Sequence, residues 1–215
     1  MKNAALFLGL ALAGLLFAPA ASAAGDAEAG RDKAETCLGC HGIPNYANMY
    51  PNYSVPKLGG QHADYIVAAL QAYRSGARQH PTMSAQAESL SDQDIQDIAA
   101  YFATFKSGGQ PEPDRGGDVE AGKEKAATCA ACHGLDGNSP NAMYPILTSQ
   151  YADYLEHALR AYKSGQRNNA IMSSLAAPLT EEDIEDLAAW FASQSGGVTV
   201  LDVEMHQSSD GASAD

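Results

Sequence analysis

The run Thr36-Cys37-Leu38-Gly39-Cys40-His41 returns in the second half of the chain as Thr128-Cys129-Ala130-Ala131-Cys132-His133. Two cysteines separated by two residues on a helical turn can each form a thioether to one edge of a porphyrin, and the histidine that follows then sits under the iron. C-x-x-C-H is therefore the sequence signal for covalent attachment of a c-type haem. C-x-x-C alone also suits half a zinc site, a thioredoxin-like redox pair or a disulfide. Zinc would need four thiolates to converge, whereas these pairs occupy the same place in two repeats. The thioredoxin reading needs a βαβ context, which the sequence does not show. Two complete copies predict two covalently bound haem c groups, through Cys37 and Cys40 and through Cys129 and Cys132, with His41 and His133 as iron ligands.

The repeat extends well beyond the cysteines. Gly25-Asp26-Ala27-Glu28-Ala29-Gly30 returns as Gly117-Asp118-Val119-Glu120-Ala121-Gly122, and Ala72-Tyr73-Arg74-Ser75-Gly76 as Ala161-Tyr162-Lys163-Ser164-Gly165. Asp97-Ile98-Ala99-Ala100-Tyr101-Phe102 returns as Asp186-Leu187-Ala188-Ala189-Trp190-Phe191, in the same order, so the chain is a duplication. Residues 107–116, rich in Gly and Pro, read as a linker. The expected units are a signal peptide at 1–23, a domain at 24–106, a second domain at 117–196, and an acidic, partly disordered tail at 197–215.

Met1 to Ala23 carries Lys2, an apolar run, Pro19 and Ala21-Ser22-Ala23, the pattern of a secretory signal with an A-x-A cleavage site. The run is short for a bilayer span, so cleavage and export to the periplasm are expected rather than anchoring. All four cysteines lie in the haem motifs, which leaves none for a disulfide. Net charge is −13, and removal of Lys2 with the signal takes it to −14. Such a surface excludes nucleic acid as a partner and favours redox proteins with a basic docking face, while peripheral membrane association stays open.

Each copy predicts the same helices. Asp26 and Asp118 cap the first, with Glu28 and Glu120 where the helix dipole favours an acid. It leads straight into the haem motif. A middle helix spans Ala63 to Ser75 and Ala152 to Ser164, stopped by Gly76 and Gly165. Closing helices start at Ser91 and Thr180 with Asp94 and Asp183 completing a near relative of the capping box. No stretch reads as a strand, so the fold class is all-α. Gly30 and Gly122 sit inside helices at a cost of roughly 1 kcal/mol against alanine. That cost implies close approach of another helix, with Tyr101 and Trp190 as partners.

The ligand opposite histidine decides between electron transfer and chemistry on a bound molecule. Met83 and Met172 occupy matching places, each followed by serine, in the loop between the middle and closing helices, and are assigned to the two irons. His80 is an alternative in the first copy only. Met49 and Met143 read as ordinary packing. Pro56 and Pro145 also match, and a carbonyl there could accept the Nδ1 hydrogen of His41 and His133, leaving Nε2 for iron.

Two C-x-x-C-H domains, the downstream methionines, the acidic exported chain, and the phrases His133-Gly134-Leu135-Asp136-Gly137-Asn138-Ser139 and Pro56-Lys57-Leu58-Gly59-Gly60-Gln61 resemble the dihaem cytochrome c4 family. The resemblance implies two tandem class I cytochrome c domains related by a pseudo-twofold axis. It also implies electron transfer from a quinol-oxidising complex to a terminal oxidase or similar acceptor. The loop after His41 departs from the family, being longer and lacking Asp-Gly-Asn-Ser, and Leu147-Thr148-Ser149-Gln150 departs in the second copy. A neighbouring function is the dihaem electron-accepting subunit of a dehydrogenase, such as a flavocytochrome sulfide dehydrogenase. A dihaem peroxidase would need an open iron, and a gas sensor would need a signalling domain.

Overall fold

The computed structural model describes residues 24–113 and 115–201; the expected signal and residues 202–215 of the tail lie outside them. In the first copy the helices are α1 (Ala27–Lys33), α2 (Glu35–His41), α3 (Ala63–Arg74), α4 (Pro81–Glu88) and α5 (Asp92–Ala103). In the second they are α6 (Val119–Lys125), α7 (Ala130–His133), α8 (Ala152–Ser164), α9 (Ala170–Ala176) and α10 (Glu181–Ala192).

The capping residues act as the sequence implies. Asp26 accepts from the amides of Glu28 and Ala29, and Asp118 from those of Glu120 and Ala121. Complete capping boxes join Ser91 to Asp94 and Thr180 to Asp183. The first helix does not run straight into the haem motif. Ala34 separates α1 from α2, and a 3-10 turn at Ala126–Thr128 separates α6 from α7.

Gly30 and Gly122 lie where the opening and closing helices cross. A Cβ on either would stand 2.0 Å from the carbonyl oxygen of Asp97 or Asp186 and 2.9 Å from the Cβ of Tyr101 or Trp190. No side chain larger than hydrogen fits there. Just beside each crossing a lysine ties the two helices: Lys33 reaches Asp97 at 2.5 Å and Asp94 at 2.8 Å, and Lys125 repeats both distances to Asp186 and Asp183. The closing helix then presents Ile95, Ile98 and Phe102 to Ile66 and Leu70 of α3, while Leu187, Ala188 and Phe191 of α10 face Leu155 of α8.

The copies pack with reciprocal bonds, the mark of a pseudo-twofold axis. The Gln61 amide side chain bonds both backbone groups of Ile146 at 2.9 Å, and that of Gln150 bonds both backbone groups of Lys57 at 3.0 Å. Arg78 and Arg167 form an antiparallel bridge on this boundary, with Gln79 N donating to Gln166 O and Asn168 N to Ala77 O.

One expectation is corrected, and two further segments prove to be packed. The loop after His41 contains a two-stranded antiparallel hairpin, β1 (Ala47–Met49) and β2 (Asn52–Ser54), where no strand is expected from sequence. Tyr53 of β2 stacks on His157 of α8 at 3.8 Å between ring centroids, and Ser54 bonds Asp153 through its amide and hydroxyl. The second copy thus supplies the support that a short isolated hairpin lacks. The linker is also tied down. Gly109 is buried, its amide donates to Gly197 O, and Glu112 N donates to Ala192 O. Finally, the tail begins as a packed strap, Thr199 pairing with Gly59 through two backbone bonds and Leu201 entering the first core.

Candidate functional site

Cys129, Cys132, His133 and Met172 of the second copy line one cavity of about 740 Å³, walled by apolar groups such as Leu155 and Phe191 and, from the first copy, Leu58 and Ala69. His133 is buried and its Nδ1 donates to the carbonyl oxygen of Pro145 at 3.0 Å. The first copy repeats the arrangement. His41 Nδ1 donates to Pro56 O at 2.8 Å, and Cys37 and Met83 pack against the cluster that contains Ile98 and Phe102.

In both copies a carbonyl can only accept, so the proton sits on Nδ1 and Nε2 is left with its lone pair. Burial drives the His41 imidazole down to about 4, against the pull of the Pro56 carbonyl. His133 is lowered by burial in the same way. Both rings are neutral bases at neutral pH. Burial pushes the thiols of Cys37 and Cys129 up, and none of the four cysteines is in a disulfide.

The methionines lie on short helices and not in loops, which corrects the sequence expectation. Asn169 caps α9 with its Oδ1 accepting from the Met172 amide at 3.0 Å. His80 does the same for α4, its Nδ1 accepting from the Met83 amide at 3.2 Å, with Pro81 beginning the helix. The cap places a methionine at the third position of each helix and fixes its backbone. It also occupies His80, the alternative ligand, with a different task. Met49 and Met143 are not packing residues, being 93% and 61% exposed.

Four features of the site were not singled out from sequence. Gln61 and Gln150 bond across the boundary, Tyr53 docks the hairpin, His80 and Asn169 cap the methionine helices, and Arg78 and Arg167 are buried together. The arginines did leave a signal: each stands two residues after the glycine that ends the middle helix, at matching places in the repeat.

The donor set fits a covalently bound porphyrin in each copy, with two cysteine sulfurs outside any disulfide, a neutral imidazole with an oriented Nε2 and a thioether against an apolar wall. The cytochrome c family profile matches residues 27–106 and again 119–195. Cytochrome c4 of Pseudomonas aeruginosa is 36% identical over 200 residues, covering 86% of this chain and 94% of its own. The chain belongs to the dihaem cytochrome c4 family. The crystal structure of reduced recombinant cytochrome c4 from Pseudomonas stutzeri superposes with a TM-score of 0.67 at 32% identity, over 80% of this chain and all of that one. The thiosulfate dehydrogenase electron acceptor of Thiomonas intermedia is also similar, 31% identical over 87% of this chain and 90% of its own.

Membership brings two covalently bound haem c groups and the role of an electron-transfer protein. When bound, the haem iron supplies a one-electron couple. The chain supplies the tether, the imidazole orientation and the dry wall.

Proposed function

We propose that the protein carries electrons through the periplasm, from a quinol-oxidising complex to a terminal oxidase or similar acceptor. His41 and Met83 ligate one iron, and His133 and Met172 the other. The observation that carries this reading is the paired preparation of both faces in each copy. A proline carbonyl orients the histidine, and a capped helix start fixes the backbone of the methionine. Filled on both faces, an iron exchanges electrons with little rearrangement and offers no position to a substrate, and the thioether favours a high potential.

Net charge and exposed apolar groups describe the partner. The chain carries −13, which steers a basic face towards it. Met143, Ile171 and Leu175, which are 61%, 56% and 37% exposed, line the second haem cavity and form an apolar rim suited to a short-lived contact.

The decisive experiment is a redox titration of the holoprotein and of Met83→Ala and Met172→Ala, each with carbon monoxide added to the reduced form. The parent shows two high-potential steps and no carbon monoxide shift. Each variant moves one step down by an appreciable part of the roughly 0.8 V that axial ligation controls, and opens that iron to carbon monoxide. Carbon monoxide binding to the parent overturns the shuttle reading in favour of catalysis.

A second reading is supported by the thiosulfate dehydrogenase electron acceptor among the relatives. In it the protein accepts electrons from a dehydrogenase as a subunit or dedicated partner, in the manner of a flavocytochrome's haem subunit. Copurification of a second, catalytic chain from the native host distinguishes the two.

A further inference from the structure

We propose that Arg78 and Arg167 form a carboxylate clamp on the pseudo-twofold boundary, holding haem propionates and thereby raising the reduction potential of the haem they face. The two arginines come from opposite copies and meet through an antiparallel backbone bridge. They are only 7% and 6% exposed. Like charges buried side by side without a counter-charge are unfavourable.

No acidic side chain among the described residues pairs with either. Their one shared hydrogen-bond partner is a neutral acceptor, the Tyr154 hydroxyl, at 2.7 Å from Arg78 and 3.5 Å from Arg167. Aromatic faces supply the rest of the surroundings, with Arg78 over Tyr73 at 4.4 Å and Arg167 over Tyr154 at 5.4 Å. Arg78 Nε is buried with no hydrogen-bond partner.

Both guanidiniums line the cavity that holds Cys129, Cys132, His133 and Met172. The charged residues lining it are Lys57, Arg78, Lys125 and Arg167, and no acid is among them, in a chain with 26 acids against 13 bases. Lys57 is neutralised by Glu112, and Lys125 by Asp183 and Asp186. The arginines are therefore the cavity's two uncompensated cations. A guanidinium is a planar fork that matches a carboxylate with two parallel bonds, and propionates are the carboxylates that this cofactor brings. Positive charge held beside an iron disfavours its oxidised form, and that raises the potential.

The test is a spectroelectrochemical titration of the holoprotein and of Arg78→Gln and Arg167→Gln, with Arg74→Gln as control. Arg74 is a surface residue already paired with Asp92 at 2.5 Å. Each buried substitution is expected to lower the reduction equilibrium constant of the second-copy haem about tenfold, equal to 59 mV for a one-electron couple. Arg78→Lys and Arg167→Lys keep the charge and recover most of that loss, which a purely structural role would not predict. Unchanged potentials in both glutamine variants at full haem content overturn the clamp.

A measurement on the unaltered protein guards against variants that fail to fold. Infrared spectra with isotope-labelled propionates should show ionised carboxylates at neutral pH, and protonated acids would also overturn the proposal. These readouts are equilibrium properties of the haem. They stand or fall separately from the route the electrons take.

Discussion

In the first copy, the chain between His41 and Pro56 forms a hairpin that crosses the boundary and lays Tyr53 on His157. In the second, the chain between His133 and Pro145 contains no strand: Asp136 accepts from the Asn138 amide at 3.0 Å, its carbonyl takes the Thr148 hydroxyl, and the Ser139 carbonyl meets His62 Nε2 of the first copy at 2.9 Å. Each loop nevertheless delivers a proline carbonyl to the same imidazole nitrogen. The contrast separates two tasks. Orientation of the ligand is repeated without change, whereas the fit of one copy to the other adds unequal loops to the reciprocal glutamine bonds. The next pair shows the same division: Lys57 follows Pro56 and is buried against Glu112, whereas Ile146 follows Pro145 and needs no partner.

Removing the hairpin's anchor should break the asymmetry most strongly. Tyr53 is 5% exposed and belongs to the second copy's core, so Tyr53→Ala is expected to cost about 3–5 kcal/mol, the range for a buried aromatic truncated to alanine. Urea denaturation followed at the second haem should show that loss. The equivalent loop of the second copy tolerates Leu135→Ala, since Leu135 is 80% exposed. Equal responses to these two substitutions would refute the division.

The ion pair comes next. Lys57 and Glu112 side chains are 7% and 10% exposed, and Lys57 Nζ also reaches Ser149 O at 2.6 Å. Glu112→Ala leaves a buried ammonium without its counter-charge and should cost about 3 kcal/mol. Lys57→Met with Glu112→Met, which restores the apolar character of Ile146, should recover much of this in a double-mutant cycle.

The smallest effect sharpens the shared part. The Lys33 ammonium and the Ser91 hydroxyl and amide hold Asp94 down to about 2, and Lys33 also lowers Asp97. Lys125 lowers Asp183 and Asp186 in the second copy. A carboxylate with a depressed folded pKa adds stability above its unfolded value of about 3.9, and that stability is lost as pH falls through the folded value. Both copies should weaken together between about pH 4 and pH 2, less so in high salt. A flat stability across that window, or loss in one copy alone, would contradict the equivalence.

Much of the site was legible because attachment chemistry demands fixed spacing. Two thiols must meet one porphyrin edge and an imidazole its iron, and that leaves a contiguous string in each copy. Caps are local too, so Asp26 and Ser91 could be read with their partners, and Gly30 announced itself as a glycine inside a helix although its partner Tyr101 is about 70 residues away. The methionine helices were missed because His80 is an uncommon cap, although Asn169 in the same place is a standard one. The hairpin was missed because its residues are polar and proline-rich, and because its stability comes from α8, almost a hundred residues away in sequence.

The sequence alone predicted the duplication, the opening, middle and closing helices, and the two cofactors with the cysteines and histidines expected to hold them, because each leaves a contiguous or periodic string along the chain. Only the tertiary structure decided how the copies meet. It set the crossed bonds of Gln61 and Gln150, the burial of Lys57, the strap at Thr199, and the meeting of Arg78 with Arg167. Such contacts join residues far apart in the chain, where burial and charge act through space and leave no period to read.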